Sequence, residues 1–511
     1  MIHETHEIVV LGAGFAGSLF AMAARRLGRD VALFDKSRHP RFAIGESSTP
    51  VADRVLRDLA ARYQLPRIEP LAKYGSWQRT YPELGCGLKR GFSYFEHRPG
   101  EPFRVDSQHG NELLVAASSD DATSDTHWLR ADVDQFLVDE ARRGGAPVWE
   151  DSRIDSLTID EQGWWTVRGE RPAAPRGGAD ARREAFEVRT PLVIDGTGEA
   201  SVVARALGIA PQTDRLHTAS RSLFSHFWGV GSWTQWLAEH DARIDEHPFP
   251  CDAAAQHMLL DGAWMWVLRF NHGLTSVGLA IDERRHPSPV GQSPADEWRQ
   301  WLDRYPSVGE LLAGARIASP PGQMIRTGRI QRRAGRAAGA SWAALPHTAG
   351  FIDPLHSSGI AHSLCGVERL LDLVERRWGQ ASFGEGLADY ERAVFREVDL
   401  IDRLVHGCYS SLGRFRRFVT WSMLYFAAAT TYEKRRGMEG YDPSVWFLNA
   451  GDETFFGVVD LLHRQLAEVP RTDEAERAFE REVKRRLAPY NHVGLFEPAV
   501  QNMYSHTVAP E

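Results

Sequence analysis

The stretch 7-EIVVLGAGFAGSLFAMAARRLGRDVALFDK-36 decides the fold of this chain. It opens with a short apolar run, residues 8–11, as a buried parallel strand requires. Helical spacing follows over residues 15–27, and a second apolar run, 31–34, ends on Asp35. Three glycines in the pattern G-x-G-x-x-G separate the first strand from the helix: Gly12, Gly14 and Gly17. This order predicts a dinucleotide-binding βαβ unit.

Each part of that unit has a physical task. Gly12 permits the tight turn, Gly14 lets the backbone approach a pyrophosphate, and Gly17 lets helix and strand pack closely. The helix N-terminus offers free N–H groups and the positive end of a dipole to the phosphates. Asp35 lies where a carboxylate accepts hydrogen bonds from ribose hydroxyls. The predicted cofactor contacts in this unit also include Ala13, Phe15, Ala16 and Lys36.

Composition restricts the class of protein. The chain has 511 residues, 43% of them hydrophobic, which allows two domains or one large intertwined one. A net charge of −8 gives no reason to expect nucleic acid as a partner. We find no secretion signal and no apolar run near the length of about 18 residues that a membrane span needs, so a cytoplasmic monomer or homodimer is expected. The four cysteines show no CxxC pair and no metal spacing, which predicts free or buried thiols and no metal site.

The segment after the second strand separates FAD from NAD as the cofactor. It reads 38-RHPRFAIGESSTP-50, where a nicotinamide dehydrogenase would continue its sheet with another helix. Its Gly45-Glu46-Ser47-Ser48 resembles the G-E-S/A segment of the flavin-dependent halogenases and their monooxygenase-like relatives, where it lies along the flavin. The resemblance implies FAD contacts at Ile44, Gly45, Glu46 and Ser47. A loop that caps the next helix through Thr49 also fits, and both interpretations can hold together.

Two more segments are similar to that family, and the resemblance covers roughly residues 5–370. The segment 192-LVIDGTGEAS-201 resembles the strand and turn that close the first FAD half, and it places Asp195 and Gly196 at the cofactor. The segment 349-AGFIDPLHSSGIAHS-363 is similar to the family's G-F-I-D-P run. The resemblance implies an α/β, FAD-binding Rossmann-like (GR2/PHBH-type) fold with a β-sheet substrate region and a C-terminal helical segment. The expected divisions are 1–204 and 331–375 for the FAD module, 205–330 for the substrate-side sheet, and 376–511 for the helices.

The small-residue turn 354-PLHSSG-359 carries the halide prediction. The resemblance places it beside the flavin ring, with Pro354 near the substrate and the amides of Ser358 and Gly359 holding chloride or bromide. Converging amide N–H groups bind an anion without a full positive charge. His356 can exchange a proton near neutrality; the alternative is a polar loop residue that is only hydrogen-bonded.

One departure from the family concerns the ribityl chain of the flavin. The family usually has Gly-Asp-Ala-Ala before the Gly-Phe, and this chain has Pro346-His347-Thr348-Ala349. His347 is therefore predicted to donate to the ribityl hydroxyls. The remaining predicted FAD contacts are Arg130, Gly350 and Asp353.

The halogenase mechanism implied by the resemblance needs one lysine. Its ammonium hydrogen-bonds hypohalous acid or forms a haloamine, and a lysine suits this because burial lowers its pKa. Lys73 in "PLAKYGSW" and Lys89 in "GCGLKRGFSYF" both lie at suitable distances after Glu46. The apolar flanks of Lys89 favour it over Lys73, which is predicted at the C-terminal end of a helix. A surface strand lysine remains the alternative.

The segment "GAWMWVLR" contains Trp264 and Trp266, which resemble the family's W-x-W-x-I-P signature near the substrate but lack its Ile-Pro. Period-2 packing on one face of a strand explains the two tryptophans equally well.

No second G-x-G-x-x-G with strand and helix follows, so an internal NAD(P)H domain is not expected. The electrons are expected as FADH2 from a separate, transient flavin reductase, or from NAD(P)H that binds transiently. The implied function is halogenation of an electron-rich aromatic small molecule, free or carrier-bound. The alternative is a flavin monooxygenase or other FAD oxidoreductase of the same fold. Residues 168–186 are predicted to form a long hairpin loop.

Overall fold

In the computed structural model of the chain, residues 2–174 and 182–505 are described. The helices are α1 (Phe15–Arg26), α2 (Pro50–Arg62), α3 (Tyr74–Thr80), α4 (Arg130–Arg143), α5 (Val202–Ala206), α6 (Trp233–Glu239), α7 (Pro294–Arg304), α8 (Pro306–Leu312), α9 (Pro346–Ala349), α10 (Ser358–Arg377), α11 (Phe383–Ser411), α12 (Phe415–Glu439), α13 (Glu453–Glu468) and α14 (Asp473–Leu487).

The strands are β1 (Ile2–Thr5), β2 (Ile8–Leu11), β3 (Val31–Phe34), β4 (Cys86–Lys89), β5 (Gly91–Glu96), β6 (Glu112–Ala116), β7 (Asp125–Trp128), β8 (Val148–Trp149), β9 (Arg153–Ile159), β10 (Trp165–Pro172), β11 (Arg183–Thr190), β12 (Leu192–Asp195), β13 (Ser220–Trp228), β14 (Ala255–Leu260), β15 (Ala263–Arg269), β16 (Thr275–Asp282), β17 (Arg316–Ile317), β18 (Ile325–Arg329), β19 (Arg332–Arg333), β20 (Ala338–Gly339), β21 (Trp342–Ala344), β22 (Gly350–Phe351) and β23 (Met503–Tyr504).

The cofactor-side sheet has six strands in the order β20-β21-β12-β2-β3-β8. Strands β21, β12, β2, β3 and β8 run parallel, and Ile8 pairs with both Val31 and Leu192. Strands β2, β3 and β12 are fully buried, as expected for a sheet covered on both faces. The predicted βαβ unit is confirmed, because α1 joins β2 to β3 within the bounds that the sequence indicates.

A four-stranded sheet in the order β1-β11-β10-β9 flanks this unit. Its β10–β11 hairpin pairs Trp165 with Thr190 and Pro172 with Arg183. The two strands therefore extend into the stretch 168–186, which the sequence indicated as a hairpin loop. Part of that loop, residues 175–181, lies outside the described residues.

The substrate-side sheet has nine strands, in the order β17-β13-β16-β15-β14-β5-β6-β23, with β18 also paired to β13. Strands β5 and β6 enter it from residues 91–116, which fall within the stretch assigned by sequence to the first part of the FAD module. Side chains of β15 alternate between two cores. Trp264 and Trp266 pack in the core that contains β2 and α1, and Met265 and Val267 pack in the other.

The C-terminal helices cover the FAD module and this sheet. Helix α11 packs on α10 and α12, and α12 also packs on α14. A buried ion pair between Arg436 of α12 and Glu368 of α10 fixes the two helices together at 2.7 Å. Over residues 2–174 and 182–505, no helix has both the length and the apolarity needed to cross a bilayer. All four cysteines are buried free thiols, as predicted.

Candidate active site

The glycine turn has the close approaches that its pattern predicts. Gly12 has φ +100°, and a Cβ there would lie 2.4 Å from the Gly196 carbonyl oxygen. A Cβ on Gly17 would lie 2.0 Å from the Gly12 carbonyl oxygen. A Cβ on Gly14, in contrast, would meet only side-chain ends, those of Arg41 at 3.5 Å and of Arg130 and Asp134 at 3.9 Å. Gly14 thus faces a cluster of two guanidinium groups and one carboxylate, and its lack of a side chain leaves room for the pyrophosphate of a dinucleotide.

The amides that open α1 are available to such an anion. The helix begins at Phe15, and Gly14 caps it without a side-chain hydrogen bond, so the first-turn amides of Phe15 and Ala16 have no partner within the helix. The Asp35 carboxylate accepts hydrogen bonds from the amides of Ala13 and Ser37, both at 2.7 Å. It therefore fixes the glycine turn against the end of β3, and its ribose contact stays a prediction. Lys36 is exposed.

Arg130 connects the glycine turn to the segment 45–48. Its guanidinium pairs with Asp134 through two hydrogen bonds of 2.9 Å and donates to the carbonyls of Ile44 at 3.1 Å and Gly45 at 3.2 Å. The same group lies 4.8 Å from the centroid of the Phe15 ring. Since these contacts use most of its donors, Arg130 holds the walls of the FAD site together.

The segment 45–48 reaches the substrate-side sheet and the turn 354–359. The buried Glu46 carboxylate is 2.8 Å from Nε2 of His226 on β13. The Ser357 hydroxyl donates to the Ser47 hydroxyl at 2.9 Å. The two segments that carry the family resemblance therefore touch, although they lie 310 residues apart.

The turn after β12 is held by its own side chains. Asp195 accepts hydrogen bonds from the Thr197 amide and hydroxyl at 2.9 and 2.6 Å and from the Val203 amide at 2.9 Å. The backbone of Gly196 packs against Gly12. Asp195 thus fixes the turn that borders the site. The FAD contacts of Asp195 and Gly196 stay predictions.

His347 stands where the family usually has an aspartate. Its Nε2 lies 3.2 Å from the Gly196 carbonyl and its Nδ1 lies 3.4 Å from the Ser363 hydroxyl. Burial and the charge of Arg332 lower its pKa to about 4, so the ring is neutral at pH 7. Gly350 serves packing here, because a Cβ on it would lie 2.7 Å from the side chain of Val398.

The turn 354–359 ends in the N-terminus of a 20-residue helix, α10. Ser357 caps the helix in the left-handed conformation, φ +52°, without a side-chain hydrogen bond. The amides of Ser358 and Gly359 therefore have no partner in the helix. Gly359 is exposed, and no atom lies within 4 Å of its Cβ position. Pro354 accepts a hydrogen bond from the Ser357 amide at 2.9 Å, which closes the turn.

Asp353 joins the turn to the substrate-side sheet. Its carboxylate accepts hydrogen bonds from the Tyr409 hydroxyl at 2.7 Å, the Ser220 hydroxyl at 3.0 Å and the Leu355 amide at 3.0 Å. Trp264 in turn donates to the Tyr409 hydroxyl at 3.0 Å. Burial raises the pKa of Asp353 to about 7, although these donors oppose the shift. Asp353 thereby couples the position of Trp264 to that of the turn.

His356 is enclosed by aromatic and sulfur groups. Its ring stacks on Tyr425 at a centroid distance of 4.3 Å, and its Nε2 lies 3.5 Å from the thiol of Cys408. Burial, with a smaller contribution from His257, lowers the pKa of His356 to about 3. The ring is therefore a neutral, flat wall at pH 7.

The structure separates the two candidate lysines. Lys89 lies at the end of β4 with its side chain fully buried, and its Nζ donates to the Ser48 carbonyl. That Nζ is 4.2 Å from the centroid of the Phe92 ring. Among the described residues, Lys89 has no ion pair within 4 Å. Burial lowers its pKa to about 8.

Lys73 has a different environment. It is the C-cap residue of a 3-10 helix, Glu69–Ala72, which agrees with its predicted position at a helix C-terminal end, and it is also the N-cap residue of α3. Its Nζ pairs with Asp53 at 3.1 Å and Asp125 at 3.4 Å. Burial lowers its pKa, but the two carboxylates more than offset this and raise it overall. Lys73 is therefore a fixed counter-ion.

The comparison with known proteins finds halogenases among the similar sequences. Residues 10–84 match the NAD(P)-binding Rossmann-like domain. Tetracycline 7-halogenase of Kitasatospora aureofaciens is 29% identical over 444 residues, which cover 82% of this chain and 72% of that enzyme. Monodechloroaminopyrrolnitrin halogenase PrnC of Pseudomonas fluorescens is 28% identical over 428 residues, which cover 82% and 70%. The chain is thus similar to flavin-dependent halogenases over about four fifths of its length.

The fold of this protein agrees with solved structures of halogenases. The halogenase PltM, solved with phloroglucinol and FAD, matches with a TM-score of 0.82 at 22% identity, and the match covers 98% of this chain and 99% of that one. The flavin-dependent brominase Bmp2 matches with a TM-score of 0.64 at 17% identity and covers 90% of this chain and 100% of that one. The protein is a flavin-dependent oxidoreductase with the predicted α/β fold.

Several residues around Lys89 escaped the sequence reasoning. His257 stacks on Tyr94 at a centroid distance of 4.4 Å, and its Nδ1 donates to the Ser93 carbonyl at 3.1 Å. Burial and the charge of Lys89 lower the pKa of His127 to about 3, and both effects act on His257 as well. Neither histidine belongs to a motif. Two other residues, Tyr425 and Phe426, contact the Phe92 ring from α12. Aromatic side chains recur at helical spacing in that part of the sequence.

Proposed function

We propose that this protein uses reduced FAD and O2 to place chlorine or bromine on an electron-rich aromatic small molecule, with Lys89 holding the oxidised halogen. The observation that carries the proposal is the environment of Lys89, an ammonium buried beside the Phe92 ring without a carboxylate partner among the described residues. The similarity to flavin-dependent halogenases supports the same chemistry. Lys73 is neutralised by Asp53 and Asp125 and is not available for this role.

The residues present fit FAD. The amides at the start of α1 would hold its phosphates, with the Arg41 guanidinium beside them, and the segment 45–48, held in place by Arg130, would line its ring system. When bound, reduced FAD supplies the electrons that activate O2 and so allow halide to be oxidised to hypohalous acid. A partner reductase supplies the reduced cofactor in this proposal, because the sequence contains a single glycine-rich dinucleotide motif.

The halide would bind at the N-terminus of α10. The amides of Ser358 and Gly359 have no partner in the helix, the helix dipole is positive at this end, and the Gly359 side is open. The contact between Ser357 and Ser47 supports this proposal, because it brings the turn next to the segment that would line the flavin. An anion would therefore lie beside the cofactor.

Lys89 would act on the product of that oxidation. An ammonium has three donors, and one of them is held by the Ser48 carbonyl, which leaves two for hypohalous acid. A pKa of about 8 also leaves roughly a tenth of the amine neutral at pH 7, so a haloamine can form at the same nitrogen. The geometry supports both variants of the lysine role.

The substrate would lie among the aromatic walls near Lys89. Phe92, Tyr94, Tyr425 and the neutral ring of His356 offer flat surfaces that suit an aromatic ring. Trp264 closes this region from β15, 5.2 Å from His257. Relatives in the family include one solved with phloroglucinol and one named as a chlorinase of a carrier-bound pyrrole, so free and carrier-bound aromatics both belong in the test.

The test compares Lys89→Met with Lys73→Arg. Each protein is supplied with FAD, a flavin reductase, NADH, O2 and bromide, and offered a panel of phenols, indoles and a carrier-bound pyrrole, with mass spectrometry of the products. Lys89→Met should lose nearly all brominated product while still consuming O2, and Lys73→Arg, which keeps the charge beside Asp53 and Asp125, should retain most of it. Undiminished bromination by Lys89→Met would remove this lysine from the mechanism.

A further inference from the structure

A second cluster of ligating side chains lies away from the FAD site, beside β6 near one end of the substrate-side sheet. His109 Nδ1 is 2.5 Å from one carboxylate oxygen of Glu112, and His247 Nε2 is 3.5 Å from the other. One ligand atom from each of the three residues lies within 4.8 Å of the others. Their side chains are 1%, 6% and 2% exposed, so water reaches none of them freely.

The hydrogen bonds among these residues are incomplete. Both ring nitrogens of His247 and the second oxygen of Glu112 are buried and have no hydrogen-bond partner among the described residues. Buried polar atoms are almost always satisfied, by protein, water or an ion. The Nε2 of His247 and the second oxygen of Glu112 face each other at 3.5 Å, so a single group bound to both would satisfy both atoms.

The outer nitrogen of His109 is held as in metal sites. Its Nε2 is 2.9 Å from the Glu246 carboxylate, and with the proton on that nitrogen the Nδ1 lone pair can bind an ion beside Glu112. The side-chain amide of Asn502 donates to the His109 carbonyl at 2.9 Å and fixes the loop that carries it. A carboxylate behind a ligating imidazole is the usual way in which proteins orient such a ligand.

We propose that His109, Glu112 and His247 bind one zinc ion or a similar divalent transition metal ion. Two imidazoles and a carboxylate with a fourth position for water form a familiar zinc ligand set. The ion ties the loop before β6 to residues 244–247, which are far apart in sequence. Cysteine spacing predicted no metal site, because the three proposed ligands include no cysteine and form no sequence motif.

The test measures zinc directly. The FAD-loaded protein is treated with EDTA, desalted and titrated with Zn²⁺ by calorimetry, and retained zinc is counted by plasma mass spectrometry. We expect one ion per chain in the wild type and none in His247→Ala. Glu246→Gln should bind Zn²⁺ about 10–100-fold more weakly, since it removes the carboxylate behind His109. His272→Ala, at an exposed histidine, should bind as the wild type does.

A hydrogen-bonded network without metal is the alternative. If the wild type retains no zinc, the proposal is wrong and the hydrogen-bonded network is the better explanation. Equal zinc binding by the wild type and His247→Ala would lead to the same conclusion. His247→Asn, with circular dichroism and FAD titration, tests the fold independently. Loss of zinc with unchanged spectra and unchanged FAD affinity supports the site, whereas unchanged zinc binding contradicts it.

Discussion

Replacing Lys89 by Met tests whether the protein keeps a destabilising charge for its chemistry. The substitution removes the ammonium and keeps an unbranched apolar chain among the rings around Phe92. If Lys89 is an unpaired buried cation, as the structure has it, the stability of the wild type must vary with pH in a way that Lys89→Met does not share.

The size of the effect follows from the pKa. Burial lowers the pKa of Lys89 from 10.5 to about 8, with Asp125 and Asp53 opposing the shift. The difference of 2.5 corresponds to about 3 kcal/mol of unfolding free energy. Below pH 8 both states carry the charge, so the full cost is present. Between pH 8 and 10.5 the folded state has lost the proton and the unfolded state keeps it, so the wild type gains about 3 kcal/mol relative to Lys89→Met.

Urea unfolding of the FAD-free proteins, followed by tryptophan fluorescence from pH 7 to pH 10, measures that difference. Lys73→Met is the control: its carboxylate partners raise the pKa of Lys73, so its difference from the wild type should stay flat over the same range. If the difference in unfolding free energy between the wild type and Lys89→Met does not change from pH 7 to pH 10, the reasoning is refuted.

Three further outcomes are expected. Gly14→Val should abolish FAD retention, because the valine side chain would enter the space beside Arg41 and Arg130. Fluorescence titration with FAD checks this. The control Gly457→Val, at an exposed position of α13, should bind FAD normally. Bromide-soaked crystals should show anomalous signal at the amides of Ser358 and Gly359, and signal confined to other places would remove that site. The pKa of Asp353 is raised to about 7, so the folded state keeps a proton that the unfolded state loses above pH 4. Between pH 4 and pH 7 the wild type should therefore lose about 4 kcal/mol of unfolding free energy relative to Asp353→Asn. Parallel plots of unfolding free energy against pH for the two proteins, from urea unfolding, would contradict this.

The cofactor half of the fold was predictable because its determinants are local. Gly12, Gly14, Gly17 and Asp35 lie within one short stretch, and each acts on its immediate neighbours. The W-x-W segment was also readable as a strand, since alternation with period 2 depends only on the strand itself.

The lysine environments could not be decided from the sequence. Lys73 is neutralised by Asp53 and Asp125, and the second of these lies 52 residues away. Lys89 is buried because β4 pairs with β7 and β5 joins β14, both long-range events. Burial also turns His356 from a predicted proton-exchanging group into one that is neutral at pH 7. Such effects depend on tertiary packing, which residue spacing does not encode.

The most direct test of the central claim is the mass of the product formed by the wild-type protein with and without bromide. With a flavin reductase, FAD, NADH, O2 and a phenol such as phloroglucinol, bromide should give a product that carries the paired isotope pattern of bromine. Omitting bromide should remove that product. A hydroxylated product of the same yield with and without bromide would contradict the account and assign the protein to flavin monooxygenase chemistry.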